Sequence, residues 1–367
     1  MDEEIRIAVV GTGDVAMDHA SALTAQGPLP ARIVAAADTD RTRLDAFLAG
    51  HGSPAGYDDL DVLLEQSRPD LVYLCTPPGF HRDQALACLR SGASVLVEKP
   101  PALSLREFDE IADAASGPPY FATVFQHRFG RGQAELKALA ASGVLGRPLL
   151  AVCNTTWFRD QRYFDVPWRG RWDTEGGGPT MGLGIHQMDM MLDLLGDWTE
   201  VQAVTRTQAR RTETEDVSMA HVTFAGGAVA SVVNSSLSPR QESYLRYDFE
   251  YATVEVTHLY GYRDEDWRVT PAPGHEHVLT EWKAAMTGTG DPTAPQNSRS
   301  GHWAQFAKVL SSLREGTPPP VPLAESRRTL SLVAAIYASG AVGHPVKPSD
   351  VSPGNPFYDS MSGRRSD

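Results

Sequence analysis

The sequence predicts an α/β chain of two domains, a doubly wound parallel sheet followed by an α+β domain with an open-faced, mostly antiparallel sheet. Up to about residue 125, apolar runs of strand length alternate with helical segments, which is typical of a parallel sheet covered by helices. From residue 148, strands with period-two alternation follow one another without helices between them, which indicates an antiparallel sheet. The chain has 367 residues, enough for two sizeable cores.

The predicted first domain covers residues 1–125. It begins with the strand Ile5–Val10, the helix Val15–Leu23 and the strand Ile33–Ala37. Helices and strands then alternate in the segments Asp59–Gln66, Leu71–Cys75, His81–Ser91, Ser94–Glu98, Ser104–Ala115 and Tyr120–Phe125.

A glycine-rich turn follows the first strand, in the order Gly11, Thr12, Gly13, Asp14, Val15, Ala16. A helix that begins here directs its backbone N–H groups and the positive end of its dipole at a pyrophosphate. Gly11 and Gly13 permit a tight turn and the close approach of phosphate oxygens, while Ala16 replaces the third glycine where helix packs on strand. The turn therefore predicts a dinucleotide site of the Rossmann type.

Asp38 follows the second predicted strand, where a carboxylate accepts hydrogen bonds from the adenosine ribose hydroxyls. Its charge would repel a 2′-phosphate, which favours NAD. NADP remains the alternative because Arg41 and Arg43 follow closely, unless they are surface charges on the next helix.

The predicted second domain covers residues 126–347. Its strands lie in the segments 149–157, 200–207, 217–225, 228–236 and 247–259. A polar and aromatic segment at 157–175 and a glycine-rich helix start at 176–194 interrupt them, and the helices His302–Arg314 and Leu323–Ser339 close the domain. Residues 348–367 are expected to form a surface tail.

Composition narrows the class of protein. The formal net charge of −13 argues against nucleic acid or an anionic membrane as a partner. No apolar run reaches the length of a membrane span and no signal peptide is evident, so a cytoplasmic location is expected. The spacing of the three cysteines and of the histidines predicts no metal site.

Residues suited to ligand contact stand at the ends of two predicted strands. Cys75, Thr76 and Pro77 follow one, and Glu98 and Lys99 end the next, at the carboxyl edge where ligands bind in such sheets. A lysine at that edge is either a surface charge or a catalytic ammonium.

The glycine-rich segment of the second domain leads into a helix that carries His186 and Asp189. On a helix these positions are i and i+3, so they share one face. A histidine satisfied in the core is the alternative to a catalytic one.

Taken together, the motifs resemble those of the glucose-fructose oxidoreductase / inositol dehydrogenase / MocA (Gfo/Idh/MocA) family over nearly the whole chain. They are GTGDVA, CTPPGFH, EKP, FQHRF, WRG, GGG with GIHQMD, and ESRRTLSLVAAIYASG. The resemblance implies NAD or NADP at the domain junction and a sugar, cyclitol or glycoside as substrate. It also implies a homodimer or homotetramer assembled through the C-terminal sheet.

The resemblance makes Lys99 and His186 the catalytic pair of a hydride-transfer enzyme. A neutral imidazole takes the hydroxyl proton near neutral pH, and an ammonium stabilises the developing alkoxide. The residues expected at the cofactor are Gly11, Thr12, Gly13, Asp14, Val15, Ala16, Asp38, Cys75, Thr76, Pro77, His81, Glu98, Lys99, Gln126, Trp168 and Arg169. Those expected at the substrate are Lys99, Arg128, Tyr163, His186 and Asp189.

One position departs from the family pattern. Its dehydrogenases usually carry an Asp four residues before the helical histidine, where this chain has Gly182. A carboxylate there would orient the imidazole and raise its basicity. Two other functions stay open: a glycosidase that oxidises its substrate transiently with bound NAD, and a sensor that keeps the cofactor pocket without the chemistry.

Overall fold

The computed structural model describes residues 4–24, 30–288 and 299–364. The other residues of the predicted domains and tail, 1–3, 25–29, 289–298 and 365–367, lie outside the described part of the chain. Up to residue 124 the elements are β1 (Ile5–Val10), α1 (Asp14–Thr24), β2 (Ala31–Ala37), α2 (Arg41–Gly50), β3 (Ala55–Tyr57), α3 (Leu60–Ser67), β4 (Leu71–Leu74), α4 (His81–Ser91), β5 (Ser94–Val97), α5 (Leu105–Ala114) and β6 (Phe121–Thr123). They continue as α6 (Arg131–Ala141), β7 (Pro148–Phe158), α7 (Gln161–Phe164), α8 (Pro179–Gly182), α9 (Ile185–Leu195), β8 (Trp198–Arg206), β9 (Val217–Phe224), β10 (Val229–Ser235), β11 (Leu237–Phe249), β12 (Ala252–His258), β13 (Trp267–Pro271), α10 (His277–Thr287), α11 (His302–Glu315), α12 (Leu323–Val342) and α13 (Pro356–Asp359).

The chain forms two compact units that are not continuous in sequence. The first consists of residues 1–102, 107–124 and 302–326, and the second of residues 103–106, 125–301 and 327–367. The helix α11, which its position in the sequence places in the second domain, thus packs with the first unit.

The sheet of the first unit has the strand order β3-β2-β1-β4-β5-β6, and all its strand pairs are parallel. This confirms the predicted doubly wound sheet. The order reverses between β1 and β4, at the point where ligands bind in such folds. The short edge strand β3, with the sequence Ala-Gly-Tyr, was not predicted because three residues show no periodicity.

A single apolar core explains why α11 belongs to the first unit. Phe306, Val309 and Leu310 of α11 are buried in one cluster with strand residues such as Ile7 and Tyr73. Apolar side chains at these spacings form one face of a helix, and they require a partner surface. The sequence shows that face but does not show which sheet it covers.

The sheet of the second unit has seven strands in the order β13-β12-β11-β7-β10-β9-β8. The pair β7 and β10 is parallel, whereas the other pairs are antiparallel, as the predicted fold class requires. The helix α9 lies against β7 and β11 on one face. The other face exposes apolar side chains, among them Val204 (51% exposed) and Met219 (58%).

The C-terminal segment is more ordered than a loose tail. Val351 and Met361 are buried to 2% and 1% exposure, and α13 begins at a proline capped by the Asn355 side chain. Among the described residues, none of the helices combines the length and apolar character that crossing a membrane requires.

Candidate active site

The two glycines of the nucleotide turn differ in what surrounds them. Gly11 has a φ of +83°, and a Cβ there would lie 2.8 Å from the backbone carbon of Cys75 and the backbone nitrogen of Thr76. A Cβ at Gly13 would meet nothing within 4 Å among the described residues. Gly11 is therefore required by the packing of the turn on the end of β4, whereas Gly13 borders open space at the start of α1.

The Asp38 carboxylate joins the end of β2 to the glycine turn. Its Oδ2 accepts hydrogen bonds from the Thr12 backbone N–H (2.7 Å) and hydroxyl (3.0 Å), and its Oδ1 accepts one from the Asp40 N–H (2.8 Å). Ala16 is fully buried under the turn, as a third-glycine position should be. The structure thus holds a half-buried carboxylate beside the turn predicted to bind pyrophosphate.

His81 braces the strand ends internally. The sequence predicts it at the cofactor, but its ring is fully buried and both nitrogens face backbone oxygens, Nδ1 at 2.8 Å from Pro100 O and Nε2 at 2.8 Å from Thr76 O. Burial lowers the pKa of this imidazole. His81 therefore holds the segments after β4 and β5 together rather than facing a ligand.

Glu98 faces inward into a polar network of the first unit. Its Oε1 accepts a hydrogen bond from the Tyr73 hydroxyl (2.7 Å), which in turn lies 2.9 Å from His19 Nδ1. His302 Nε2 lies 3.7 Å from the same Oε1, and the Lys99 N–H donates to Oε2 at 3.3 Å. Burial by itself would raise the pKa of Glu98, but the His19 hydrogen bond and the nearby His302 and Lys99 charges lower it to about 2. Burial lowers the pKa of His302 to about 3.

The donor atoms of His19, Glu98 and His302 lie within 4.8 Å of one another, a cluster that the sequence spacing did not reveal. The Tyr73 hydroxyl already forms hydrogen bonds with two of the three residues, His19 and Glu98. Because that hydroxyl satisfies them without an ion, we interpret the cluster as a hydrogen-bonded network that fixes Glu98 beside Lys99.

In the second unit, the glycine-rich segment before His186 serves close packing. A Cβ at Gly178 would lie 1.8 Å from the Glu215 carbonyl oxygen, and one at Gly184 would lie 1.9 Å from Asn234 Oδ1. The Glu215 carboxylate also accepts hydrogen bonds from the N–H groups of Gly178 and Thr180 at the start of α8 (both 3.0 Å). These contacts fix the entry into α9, and hence the position of His186.

His186 is half-buried and lies among other histidines. Its ring centroid is 5.1 Å from that of His127 in an edge-to-face arrangement, and His127 is 5.4 Å from His258. His258 Nε2 accepts a 2.7 Å hydrogen bond from the Gln187 side-chain amide, and burial lowers the pKa of His258 to about 4, so this imidazole is neutral. Sequence reasoning missed His127, although it lies between two residues of the FQHRF motif that were singled out.

Those two flanking residues have different surroundings. Gln126 is buried, and its Oε1 has no hydrogen-bond partner among the described residues. Arg128 instead forms a bidentate ion pair with Asp189, with Nε–Oδ2 and Nη2–Oδ1 distances of 2.5 and 2.6 Å. Thr329 also donates to Asp189, which is 1% exposed. Arg128 and Asp189, predicted at the substrate, therefore bind each other inside the second unit.

The predicted ligand loop at 157–175 is organised by a carboxylate that the sequence did not point out. Glu175 accepts hydrogen bonds from Arg169 Nη1 (3.0 Å) and the Gly170 N–H (2.6 Å). The Arg169 guanidinium stacks over two rings, with its Cζ 4.0 Å from the ring centroid of Tyr163 and 4.1 Å from that of Trp168. Its Nη1 also contacts the Tyr163 hydroxyl. Burial raises the pKa of Tyr163 to about 12, so its phenol stays protonated. The loop residues Tyr163, Trp168 and Arg169 thus form one cluster.

Two family models match the chain in succession. Residues 5–120 match the model described as oxidoreductase family, NAD-binding Rossmann fold, and residues 134–261 match that of the GFO/IDH/MocA C-terminal domain. The chain belongs to the Gfo/Idh/MocA family. Its first unit is accordingly an NAD-binding Rossmann domain, as the glycine turn and Asp38 predicted.

Similar proteins in this family carry names of sugar dehydrogenases. The D-glucoside 3-dehydrogenase of Escherichia coli is 32% identical over 197 residues, which are 52% of this chain and about half (54%) of that relative's length. The D-apiose dehydrogenase of Paraburkholderia graminis is 26% identical over 90% of this chain and 87% of its own. Among solved structures, the WlbA dehydrogenase of Bordetella pertussis, in complex with NADH and UDP-GlcNAcA, superposes with a TM-score of 0.81 at 28% identity, covering 95% of this chain and 98% of its own.

The position that departs from the Gfo/Idh/MocA pattern has a specific neighbour. A Cβ at Gly182 would lie 3.4 Å from Glu175 Oε1. The space beside Gly182, where the family's Asp side chain would begin, therefore faces a carboxylate from another part of the second unit.

Proposed function

We propose that this chain is an NAD-dependent oxidoreductase that transfers a hydride between nicotinamide and a ring hydroxyl or ketone of a sugar, cyclitol or glycoside. The observation that carries the proposal is the Asp38 carboxylate bonded to the glycine turn at the switch point of a parallel sheet. The names of the similar proteins, a glucoside and an apiose dehydrogenase, support the substrate class.

The residues of the first unit fit a dinucleotide. The open space at Gly13 would admit the pyrophosphate to the start of α1, and the Asp38 carboxylate would bond the adenosine ribose and disfavour NADP. In the second unit, the buried Gln126 Oε1 offers an acceptor that no described residue uses. When bound, NAD supplies the hydride acceptor.

The proton is handled by side chains of the chain itself. His186 takes the substrate hydroxyl proton during oxidation, and the Lys99 ammonium stabilises the developing alkoxide. The two act as base and electrostatic partner, so loss of either one slows the chemical step more than it weakens NAD binding. Since Arg128 and Asp189 bind each other, they hold α9 in place, and substrate hydroxyls are recognised by other groups.

We also propose a homo-oligomer assembled through the open face of the second sheet. Val204 of β8 pairs with Met219 of β9, and Met219 pairs with Val233 of β10, so the three form a row across neighbouring strands. Val204 and Met219 are more than half exposed, and apolar rows on an exposed sheet face are typical of subunit interfaces.

A binding and turnover experiment tests the proposed activity. Thermal shifts are measured with NAD, with NADP and with a panel of polyols and glycosides, and NADH formation is then followed with the compounds that stabilise the protein. We expect a shift with NAD and net NADH formation. The variant His186→Ala should keep the NAD shift and lose turnover, and Lys99→Ala should also lose turnover.

Each alternative function gives a different result. A glycosidase would release aglycone without net NADH, and a sensor would keep its cellular function in both variants while losing it when Gly13 is replaced. Stabilisation by NADP but not by NAD would contradict the role proposed for Asp38.

A further inference from the structure

Arg159, which directly follows β7, is a half-buried cation that forms no ion pair with a carboxylate of the described residues. Its guanidinium donates to three neutral oxygens: Nη1 to Phe158 O (2.8 Å) and Gln241 Oε1 (3.4 Å), and Nη2 to the Tyr260 hydroxyl (3.3 Å). A guanidinium has five N–H donors. Its Nε–H and one Nη2 hydrogen therefore have no acceptor in the described part of the chain, and two such donors suffice for a bidentate contact with an oxyanion.

Aromatic rings hold the Arg159 guanidinium in place. Its Cζ lies 5.0 Å from the ring centroid of Trp157 and 5.4 Å from that of Tyr163, distances at which a ring face attracts a cation. The Trp157 and Tyr260 rings pack with their centroids 4.7 Å apart. Trp157 is 8% exposed and its Nε1 donates to Ser243 Oγ (3.2 Å), which fixes this ring. The charge is thus positioned by neutral groups that do not balance it.

The carboxylates that follow Arg159 and its acceptor Gln241 in sequence are engaged elsewhere. Asp160 caps α7, where it accepts a hydrogen bond from the Tyr163 N–H (3.3 Å). Glu242 forms an ion pair with Arg240 at 2.7 Å. Partly buried charges are normally paired because desolvation disfavours a lone ion. In a chain with a net charge of −13, a half-buried cation without a counter-charge therefore indicates an anion from outside the chain.

Two further arginines lie beside this position. The Gln161 side chain accepts from the Arg211 N–H (3.0 Å) and donates to the Arg211 carbonyl (3.2 Å), and Arg210 Cζ lies 5.1 Å from the Phe158 ring centroid. Neither arginine forms an ion pair within the described ranges of the chain. Their charges add to that of Arg159, and a local positive field attracts anions even when the net charge is negative.

The same end of the second sheet carries the histidines near His186. Trp157 donates to Ser243, and Ser243 pairs across strands with His258, the last residue of β12. The His127 ring centroid lies 5.4 Å from that of His258 and 5.1 Å from that of His186. A short series of contacting side chains within one unit thus joins the guanidinium to the proposed base.

We propose that Arg159 selects a substrate with an oxyanion, a carboxylate or a phosphate, attached to the sugar or cyclitol from which His186 takes a proton. This inference rests on the proposed function and narrows its substrate class to acidic compounds. The two remaining donors bind two oxygens of one oxyanion, a geometry that carboxylate and phosphate share. A neutral polyol would leave the guanidinium without a counter-charge, so the site discriminates against it.

Calorimetric titration of the NAD-saturated protein tests this selectivity. The ligands are matched sets, in which glucose, galactose and mannose are each compared with the corresponding uronate and 6-phosphate. We expect at least one acidic compound to bind at least about tenfold more tightly than its neutral partner. In Arg159→Gln this ratio should fall to about twofold or less, and Arg159→Lys should lie between, since an ammonium keeps the charge without the paired donors. The uronate and phosphate series show which oxyanion is bound.

Arg162→Gln is the matched control for the charge of this surface. Arg162 lies three residues after Arg159, in α7, and its side chain is exposed. Its replacement removes the same charge and should keep the binding ratio within about threefold of the wild type, because exposed charges are screened by salt. An equal loss in Arg162→Gln and Arg159→Gln would assign the selectivity to net charge and overturn the role of Arg159. Melting curves show that each variant folds.

Binding needs no turnover, so the inference and the proposed function can fail separately. Tight binding of an acidic sugar that depends on Arg159, without NADH formation, would support the inference and contradict the proposed function. NADH formation from neutral polyols, with no acidic compound bound more tightly than its neutral partner, would overturn the inference and leave the proposed function standing.

Discussion

The structure predicts that the two glycines of the nucleotide turn fail in different ways when replaced by alanine. Gly11 adopts a φ of +83° and its Cβ direction meets the Cys75 and Thr76 backbone at 2.8 Å. Gly13 has neither constraint. The sequence motif treats the two glycines alike, so the comparison of Gly11→Ala with Gly13→Ala tests the geometry itself.

For Gly11→Ala the two costs can be estimated separately. The left-handed conformation costs a residue with a Cβ about 1–2 kcal/mol. Overlap with backbone atoms, which cannot rotate away, adds about 1–3 kcal/mol. The unfolding free energy should therefore fall by about 2–5 kcal/mol. At about 2–4 °C per kcal/mol for a domain of roughly 150–250 residues, the first unit should melt about 4–20 °C lower.

For Gly13→Ala we expect weaker NAD binding and little change in stability. Alanine there should keep the unfolding free energy within about 1 kcal/mol of the wild type. Its methyl group would fill the space through which a pyrophosphate approaches, so the Kd for NAD should rise at least about tenfold, or ~1.4 kcal/mol.

Melting curves with and without NAD, together with calorimetric titration, separate the two outcomes. Wild type should melt higher with excess NAD, and Gly13→Ala should match the wild type without ligand but respond little to NAD. Both expectations are refuted if Gly11→Ala has the same melting temperature as the wild type, or if Gly13→Ala binds NAD with unchanged affinity.

Three further predictions concern cofactor choice, acid stability and assembly. Asp38→Asn should reduce the preference for NAD over NADP at least about tenfold, measured as the ratio of Kd values, because it removes a charge that repels a 2′-phosphate. The pKa of His302 is lowered from 6.5 to about 3 and that of Glu98 from 4.5 to about 2, so both groups take up protons more readily in the unfolded chain and the fold is more stable at neutral than at acidic pH. That stability is lost as pH falls from 6.5 towards 2. The melting temperature of His302→Asn should depend less on pH than that of the wild type in the upper part of this range, and the melting temperature of Glu98→Gln should depend less on pH in the lower part. Met219→Glu should reduce the molar mass measured by light scattering after size exclusion, because it places a charge in the exposed row with Val204.

Each of these has an outcome that would contradict it. An unchanged cofactor ratio in Asp38→Asn would remove the carboxylate from nucleotide selection. If the melting temperatures of the wild type, His302→Asn and Glu98→Gln fall equally as the pH is lowered, protonation of His302 and Glu98 does not cause the loss of stability. A Met219→Glu protein of wild-type mass would move the interface away from this sheet face, and Val62→Glu, at an exposed apolar residue of α3, is the matched control for added charge.

Local patterns predicted most of the fold. The alternation of apolar strands and helices up to residue 125 is enough for a parallel sheet, since each element shows its buried face in its own periodicity. The glycine turn and Asp38 predicted the nucleotide site because both depend on residues next to strands that sequence reasoning could place. What the sequence could not show was the partner of α11, whose apolar face packs on the first sheet across a long stretch of chain.

In the candidate site too, local patterns identified single residues, whereas only the structure showed which residues contact each other. Lys99 stood out because it follows the end of a recognisable strand, and His186 because it lies at the start of a recognisable helix. Arg128 and Asp189 were expected at the substrate, but the structure brings them within 2.5 Å of each other, a pairing of residues 61 positions apart. The absence of a carboxylate at position 182 could be read from the sequence, but the position of Glu175 Oε1 beside it could not.

The sequence by itself determined the fold class, the NAD-binding domain and the family, because those depend on periodicity and short motifs. Tertiary structure decided which charged side chains are paired with each other within the fold. It also decided that His81 bonds backbone oxygens and that Glu175 lies beside Gly182. The physical reason is that a side chain's chemistry is fixed by its neighbours in space, and a buried carboxylate seven residues before a glycine carries no signal of where it points.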